Sequence, residues 1–183
     1  WSFGAFGTTN VGGSVMRSLM TRCASQRFLA KLARLGGGGK VELRRDGPVV
    51  TLALQHATRR NALSPKMINQ LADAVDELEA DAHAAALLIT GDGGHFCSGF
   101  DLEMVQHIAT PQDGEQLSLL MTSLLERIRN LPMLSVACIN GAAYGGGAEL
   151  ATATDWRVAS CDARIRFVQA QMCVGAGLGG AAR

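Results

Sequence analysis

The sequence predicts an α/β fold, in which short buried strands alternate with amphipathic helices that cover a sheet with parallel pairings. Three observations carry this reading. Residues 85–90 and 134–139 are short apolar runs that each lead into a glycine-rich loop, the pattern of buried strands. Met67, Ile68, Leu71, Val75 and Leu78 recur at helical spacing, as do Leu117, Leu120, Met121, Leu124 and Ile128. Ser64-Pro65 and Thr110-Pro111 stand ahead of these two segments, where a capping residue and a proline favour a helix start. Strand, helix, strand in that order calls for crossover connections and hence parallel pairing.

The elements follow along the chain. Gly36 to Gly39 form a four-glycine linker, so ordered structure is expected to begin near Lys40. Residues 41–45 and 49–54 read as strands around Asp46-Gly47-Pro48, whose Asp-Gly pair is a hairpin-type signal. A helix runs from Pro65 to about Asp81, followed by the strand at 85–90. Gly91 to Gly99 reads as a polar, glycine-rich loop. The second helix starts at Pro111. The strand at 134–139 leads directly to Gly145-Gly146-Gly147, and residues 148–154 continue as a helix. Residues 157–159 and 164–167 are short strands. In open α/β sheets ligands sit beyond the carboxyl ends of the strands, and both glycine-rich loops fall there. No internal sequence repeat is visible.

Composition narrows the class. The 183 residues are 48% hydrophobic, with a mean hydropathy of +0.14, which fits one globular domain with a real core. No apolar run approaches the ~18–20 residues of a membrane span. The first 40 residues hold six of the 17 basic side chains and none of the 16 acidic ones, leaving a net charge of −5 on the rest. An acid-free segment rich in Arg, Ser and small residues reads as a mitochondrial transit leader, with a disordered tail as the alternative. Its apolar stretches are too interrupted for a secretory signal. The acidic body argues against a nucleic-acid surface. Cys23, Cys97, Cys138, Cys161 and Cys173 are scattered, which points to a reducing compartment rather than a disulfide or zinc framework. His56, His83, His95 and His107 show no metal-ligand spacing either.

The glycine triplet is the most informative motif. Glycine is costly to order, so three at a helix start either let the helix pack closely on a strand or aim backbone N–H groups at an anion. Glu149, three residues beyond Gly146, shares its helical face. The loop Gly94-His95-Phe96-Cys97-Ser98-Gly99-Phe100-Asp101-Leu102 follows a neighbouring strand. Two such loops, each aiming one N–H at a carbonyl oxygen, make an oxyanion hole. Cys97 is a rival nucleophile, without a recognisable His/Asn arrangement. Gly175-Ala176-Gly177-Leu178-Gly179-Gly180 matches a dinucleotide fingerprint but lacks the following acidic residue and βαβ context. Gly39-Lys40-Val41 fails as the end of a phosphate loop.

Four pieces in this order resemble the crotonase superfamily, the enoyl-CoA hydratases and isomerases. They are Arg60-Asn61-Ala62-Leu63, Phe96 through Leu102, Asn140-Gly141 through Gly145-Gly146-Gly147-Ala148-Glu149, and Gly179-Gly180 with Arg183. The resemblance covers about Val49 to Arg183. It implies a ββα spiral, a coenzyme A thioester as substrate, no separate cofactor, no metal and usually a homotrimer. It also implies that the N–H groups of Ser98 and Gly146 form the oxyanion hole, with Glu149 as the acid/base. Asn61, Ala62, Ser98, Gly99, Phe100, Asp101 and Leu102, with Gly145 and Gly146, would contact the acyl-CoA.

The chain departs from the family where a second catalytic glutamate is expected, near Gln169. An amide cannot serve as a carboxylate acid/base, which puts hydration in doubt. Losing CO₂ makes an enolate without any base to remove a carbon-bound proton, and one acid then suffices. Thr110 to Gly114, Gly145 to Glu149, Asp155-Trp156-Arg157 and Ile165 to Val168 resemble the branch that decarboxylates malonyl-type thioesters such as ethylmalonyl-CoA or methylmalonyl-CoA. The alternatives are a hydratase/isomerase of fatty-acid metabolism and a catalytically inactive scaffold. The proline that usually precedes the terminal Gly-Gly is absent, and the family continues for several helices beyond this point. The expectation is thus a leader-like, disordered segment at 1–39 and a C-terminally truncated crotonase-like domain at 40–183, located in the mitochondrial matrix or the cytosol and not secreted.

Overall fold

The structure, a computed structural model, describes residues 26–108 and 110–169. It is α/β, as expected. Helix α1 covers residues 26–35. The hairpin strands β1 (Lys40–Asp46) and β2 (Val49–Gln55) follow, and then helix α2 (Pro65–Glu79). Strands β3 (Ala86–Gly91) and β4 (His95–Cys97) precede helices α3 (Leu102–His107) and α4 (Pro111–Arg129). Strands β5 (Leu134–Ile139) and β6 (Ala142–Tyr144) lead to α5 (Gly146–Thr152), β7 (Trp156–Ala159) and β8 (Arg164–Arg166).

Two sheets result. One has the order β1-β2-β3-β5-β7, antiparallel at β1-β2 and parallel elsewhere; the other is the parallel set β4-β6-β8. Each strand pair β3/β4, β5/β6 and β7/β8 gives one member to each sheet, which is a ββα spiral. The repeat lies in backbone geometry, not in residue identity.

Burial explains the elements read correctly. The residues Met67, Ile68, Leu71, Val75 and Leu78 of α2 are fully enclosed, as are Leu52, Leu54, Leu87 and Ile89 of the central strands. Ser64 caps α2 by accepting the Met67 N–H, and Thr110 caps α4 by accepting the Asp113 N–H. Besides α1, three elements were not anticipated. Strands β4 and β6 have three residues each, too few to display a period, and they exist because they pair with each other. The segment 91–99, read as a loop, contains β4. Helix α3 is six residues long and starts where the Asp101 side chain accepts the Glu103 N–H. Helix α5 begins two residues earlier than read, at Gly146.

The expectation that structure begins near Lys40 does not hold. Phe28 and Leu32 of α1 are buried in the main core, and Lys31 pairs with Asp113 of α4. The four glycines are not a free linker but a strap over the start of α2. The Gly36 carbonyl accepts the Lys66 N–H, and the Ser64 hydroxyl donates to the Gly38 carbonyl. The strap thus satisfies helix-start donors that have no intrahelical partner. Residues 1–25, and with them most of the leader-like segment, lie outside the described residues.

A polar joint holds β5 to the turn before β7. The Ser135 N–H and hydroxyl both donate to Asp155 Oδ2, at 2.8 and 2.7 Å, and the Asp155 N–H donates back to the Ser135 oxygen. These bonds hold the Asp155 carboxyl below the ordinary aspartate range, the Ser135 N–H first among them.

Two outcomes follow. Leu32→Ala is expected to destabilise the fold by about 2–4 kcal/mol in urea unfolding, as a core leucine does; a value near zero would show that α1 is not part of the body. A depressed carboxyl contributes stability above the unfolded value of about 4 and loses it as pH falls through the folded value. The stability gap between the wild type and Ser135→Ala should therefore narrow as pH falls from about 5 through the lowered folded value.

Candidate functional site

The site is built on backbone, and its keystone is Asn61. Its side chain is fully buried. Its Oδ1 accepts the His56 N–H at 2.7 Å, and its Nδ2 donates to the carbonyls of Asp92 at 2.8 Å and His95 at 2.7 Å. One amide thereby joins the end of β2, the turn after β3 and the start of β4. Arg60 and Asn61 both take left-handed conformations, with φ of 52° and 55°. That is uncommon for residues other than glycine, and asparagine tolerates it best.

The turn directs its carbonyls at the next loop. The Ser98 N–H donates to the Arg60 carbonyl at 3.0 Å, and the Ser98 hydroxyl donates to the Arg59 carbonyl. Ser98 was expected to offer its N–H to a ligand; that donor is already engaged. One step on, Leu63 and Phe100 form a parallel bridge, in which the Leu63 N–H donates to Gly99 and the Asp101 N–H donates to Leu63. Backbone amides alternate sides along an extended segment. The Phe100 N–H therefore points away from Leu63, and among the described residues it meets no acceptor. The free donor of this loop is Phe100, not Ser98.

The glycine triplet lies against the same loop. A Cβ on Gly99 would sit 3.1 Å from the Gly146 nitrogen, so the two backbones are in contact. Gly145 has φ of 53° and ψ of −120°, a conformation open in practice only to glycine. A Cβ on Gly147 would stand 2.1 Å from the Cys97 carbonyl oxygen, so the start of α5 packs on β4 with no room for a methyl group. Gly146 occupies the first helical position, where an N–H has no intrahelical partner. The close-packing reading of the triplet therefore holds at Gly147, while Gly146 keeps an N–H without an intrahelical partner.

One turn into α5, Glu149 is buried. Gln169 Nε2 donates to Glu149 Oε2 at 2.8 Å. The β6-β8 pairing brings them together: Tyr144 pairs with Arg166, and the Gly145 N–H donates to the Arg166 carbonyl. The position read as that of a second carboxylate does face Glu149, with an amide.

The remaining expected residues divide by role. Asn61 is fully buried, and its side-chain hydrogen bonds all go to backbone. Asp101 is committed as the cap of α3. Ala62 is buried, with its carbonyl 3.1 Å from His56 Nδ1. Leu102 is 60% exposed at the first position of α3, open to a ligand. Cys97 is fully buried, and burial pushes its thiol up to about 12, which removes it as a nucleophile. A cavity of about 270 Å³ lies beside the loop, between the strap, the turn at 57–59 and α3, with His56, Arg59, Asp101, Glu103 and His107 on its walls. Among the described residues no group of His, Cys, Asp and Glu could hold a metal ion, and no helix is long and apolar enough to cross a membrane. The glycine-rich pieces at 175–180 and Arg183 lie outside the described residues.

This arrangement matches a known family. The profile described as enoyl-CoA hydratase/isomerase fits residues 44–182. The chain belongs to that family. Within it, the chain is 39% identical over 153 residues to an ethylmalonyl-CoA decarboxylase of Xenopus tropicalis, covering 84% of this chain and 51% of that protein. It is 43% identical over 149 residues to one of Danio rerio, covering 80% and 49%. The chain therefore spans about half the length of these relatives. Among solved structures, an enoyl-CoA hydratase from Polaromonas sp. JS666 superposes with a TM-score of 0.73 at 27% identity, covering 79% of this chain and 57% of that one. AtuE of Pseudomonas aeruginosa gives a TM-score of 0.74 at 28% identity, covering 78% and 55%.

Asn61→Ala in this family member leaves one N–H and two carbonyls without their partner, and is expected to lower stability by about 3 kcal/mol or more. Thermal and urea unfolding measure it. An effect below about 1 kcal/mol would remove Asn61 as the keystone.

Proposed function

We propose that the whole protein decarboxylates a malonyl-type acyl-CoA, such as ethylmalonyl-CoA or methylmalonyl-CoA, through a thioester enolate. The observation that carries this reading is the contact between the Gly99 loop, whose Phe100 N–H is unengaged among the described residues, and the Gly146 nitrogen at the start of the helix that bears the buried Glu149. The thioester carbonyl oxygen would lie between the two donors. As CO₂ leaves, negative charge gathers on that oxygen, where fixed donors stabilise it most. Glu149 supplies the proton that completes the product at Cα. Phe100 takes the donor role first expected of Ser98, and Ser98 holds the loop against the Arg60 turn. Leu102 and Gly99 belong to the acyl-CoA path, with Gly145 and Gly146. No cofactor is required beyond the coenzyme A of the substrate. The names of the vertebrate relatives support the reaction. The names of the structural neighbours support a second reading, hydration of an enoyl-CoA on the same donors.

The same reading extends to assembly and place. A homotrimer fits the family. The basic, acid-free residues 1–40 fit delivery to the mitochondrial matrix, with the cytosol as the alternative.

Incubating the full-length protein with ethylmalonyl-CoA and, separately, with crotonyl-CoA tests the reaction: CO₂ release without hydration is expected, and the reverse pattern rejects it. Glu149→Gln should lower kcat by about 100-fold or more with the fold intact. Gly146→Pro removes one donor and should cost about 3–4 kcal/mol of transition-state stabilisation, read as kcat/KM. A folded Gly146→Pro protein with normal turnover would show that this N–H is not used.

A further inference from the structure

Gln169 has hydrogen-bonding capacity that the folded chain does not use. Its Nε2 donates to Glu149, while its Oε1 is buried and meets no hydrogen-bond partner among the described residues. A buried acceptor left alone costs about 1–3 kcal/mol. The two ends of an amide exchange when it turns over, and the group opposite decides which end faces it. An ionised Glu149 can only accept, so it takes the N–H and strands Oε1. A protonated Glu149 can donate its O–H to Oε1, and the amide N–H then faces away from it. The chain reaches Gln169 along the start of α5: β8 pairs with β6 up to Arg166, and Val168 Cγ2 lies 3.5 Å from where a Gly145 Cβ would be.

A second carboxylate entering this space favours the other arrangement. Two carboxylates a few ångströms apart cannot both stay ionised at low cost, and one takes up a proton. We propose that Gln169 reads the substrate's free carboxylate: on binding, its amide turns over, Nε2 donates to that carboxylate and Oε1 accepts the O–H of Glu149. The proposal rests on the decarboxylase reading and names the residue that selects its substrate class. The proton on Glu149 comes from solvent as substrate binds. The bond between Cα and the carboxylate breaks, CO₂ departs, and the electron pair passes through Cα to the thioester oxygen held by the Phe100 and Gly146 N–H groups. Glu149 then gives its proton to Cα, the carbonyl re-forms, and the ionised Glu149 takes back the Gln169 N–H. An uncarboxylated acyl-CoA brings no second charge and leaves the amide as it stands.

The test uses the full-length protein and its Gln169→Leu variant, with ethylmalonyl-CoA as substrate and the product, butyryl-CoA, as competitive inhibitor. Losing one hydrogen bond to a charged group should raise KM for ethylmalonyl-CoA about ten-fold or more, with the inhibition constant of butyryl-CoA unchanged. An unchanged KM overturns the proposal, and so does a parallel rise of both constants, which a merely structural role would give. Should the leucine variant fail to fold, Gln169→Asn is measured in the same way, because its shorter side chain cannot reach both carboxylates. A wild type that releases no CO₂ rejects the reaction itself; a wild type that does, with variants indistinguishable from it, rejects the role of Gln169 alone.

Discussion

The buried amide of Asn61 is the interaction on which the rest of the site depends. Its three partners are backbone groups, one five residues before it and two that lie 31 and 34 residues beyond it. No apolar side chain could replace it, because the His56 N–H and the Asp92 and His95 carbonyls would lose their partners inside the protein. The left-handed backbone at Arg60 and Asn61 is held against its local preference by these bonds. Its product is the direction of the Arg59 and Arg60 carbonyls, which capture Ser98 and fix which way the next amides point.

The glycine triplet shows how adjacent identical residues meet different constraints. Gly145 supplies a backbone conformation, Gly147 supplies the absence of a side chain against Cys97, and Gly146 between them presents an N–H. Together they press the start of α5 onto β4 and set the Gly146 nitrogen against the Gly99 loop. The same packing encloses Cys97. A thiol that would be reactive at the surface becomes part of the wall.

The polar inventory around α5 is lopsided. The Gly146 N lies against the Gly99 loop, and one carboxylate, Glu149, faces an amide. Chemistry that develops charge on oxygen and then needs one proton suits this inventory; chemistry that needs two carboxylates does not. The family fold is shared with hydratases, so the fold alone does not choose the reaction. What distinguishes this chain at that place is an amide, Gln169, hydrogen-bonded to Glu149.

Much of this was legible in the chain. The periodicity of α2 and α4, their Ser64 and Thr110 caps and the apolar runs of β3 and β5 determined the α/β class, because burial imposes those patterns wherever such elements form. The ordered motifs around Asn61, Phe100 and Glu149 determined the family and the place of the site. The three-residue strands, the fit of the glycine strap over α2 and the docking of α1 were decided only in three dimensions, since each exists through partners distant in sequence. So was the choice of Phe100 over Ser98 as donor. Neighbouring amides in an extended segment point to opposite sides, and only the pairing with Leu63 says which side is which.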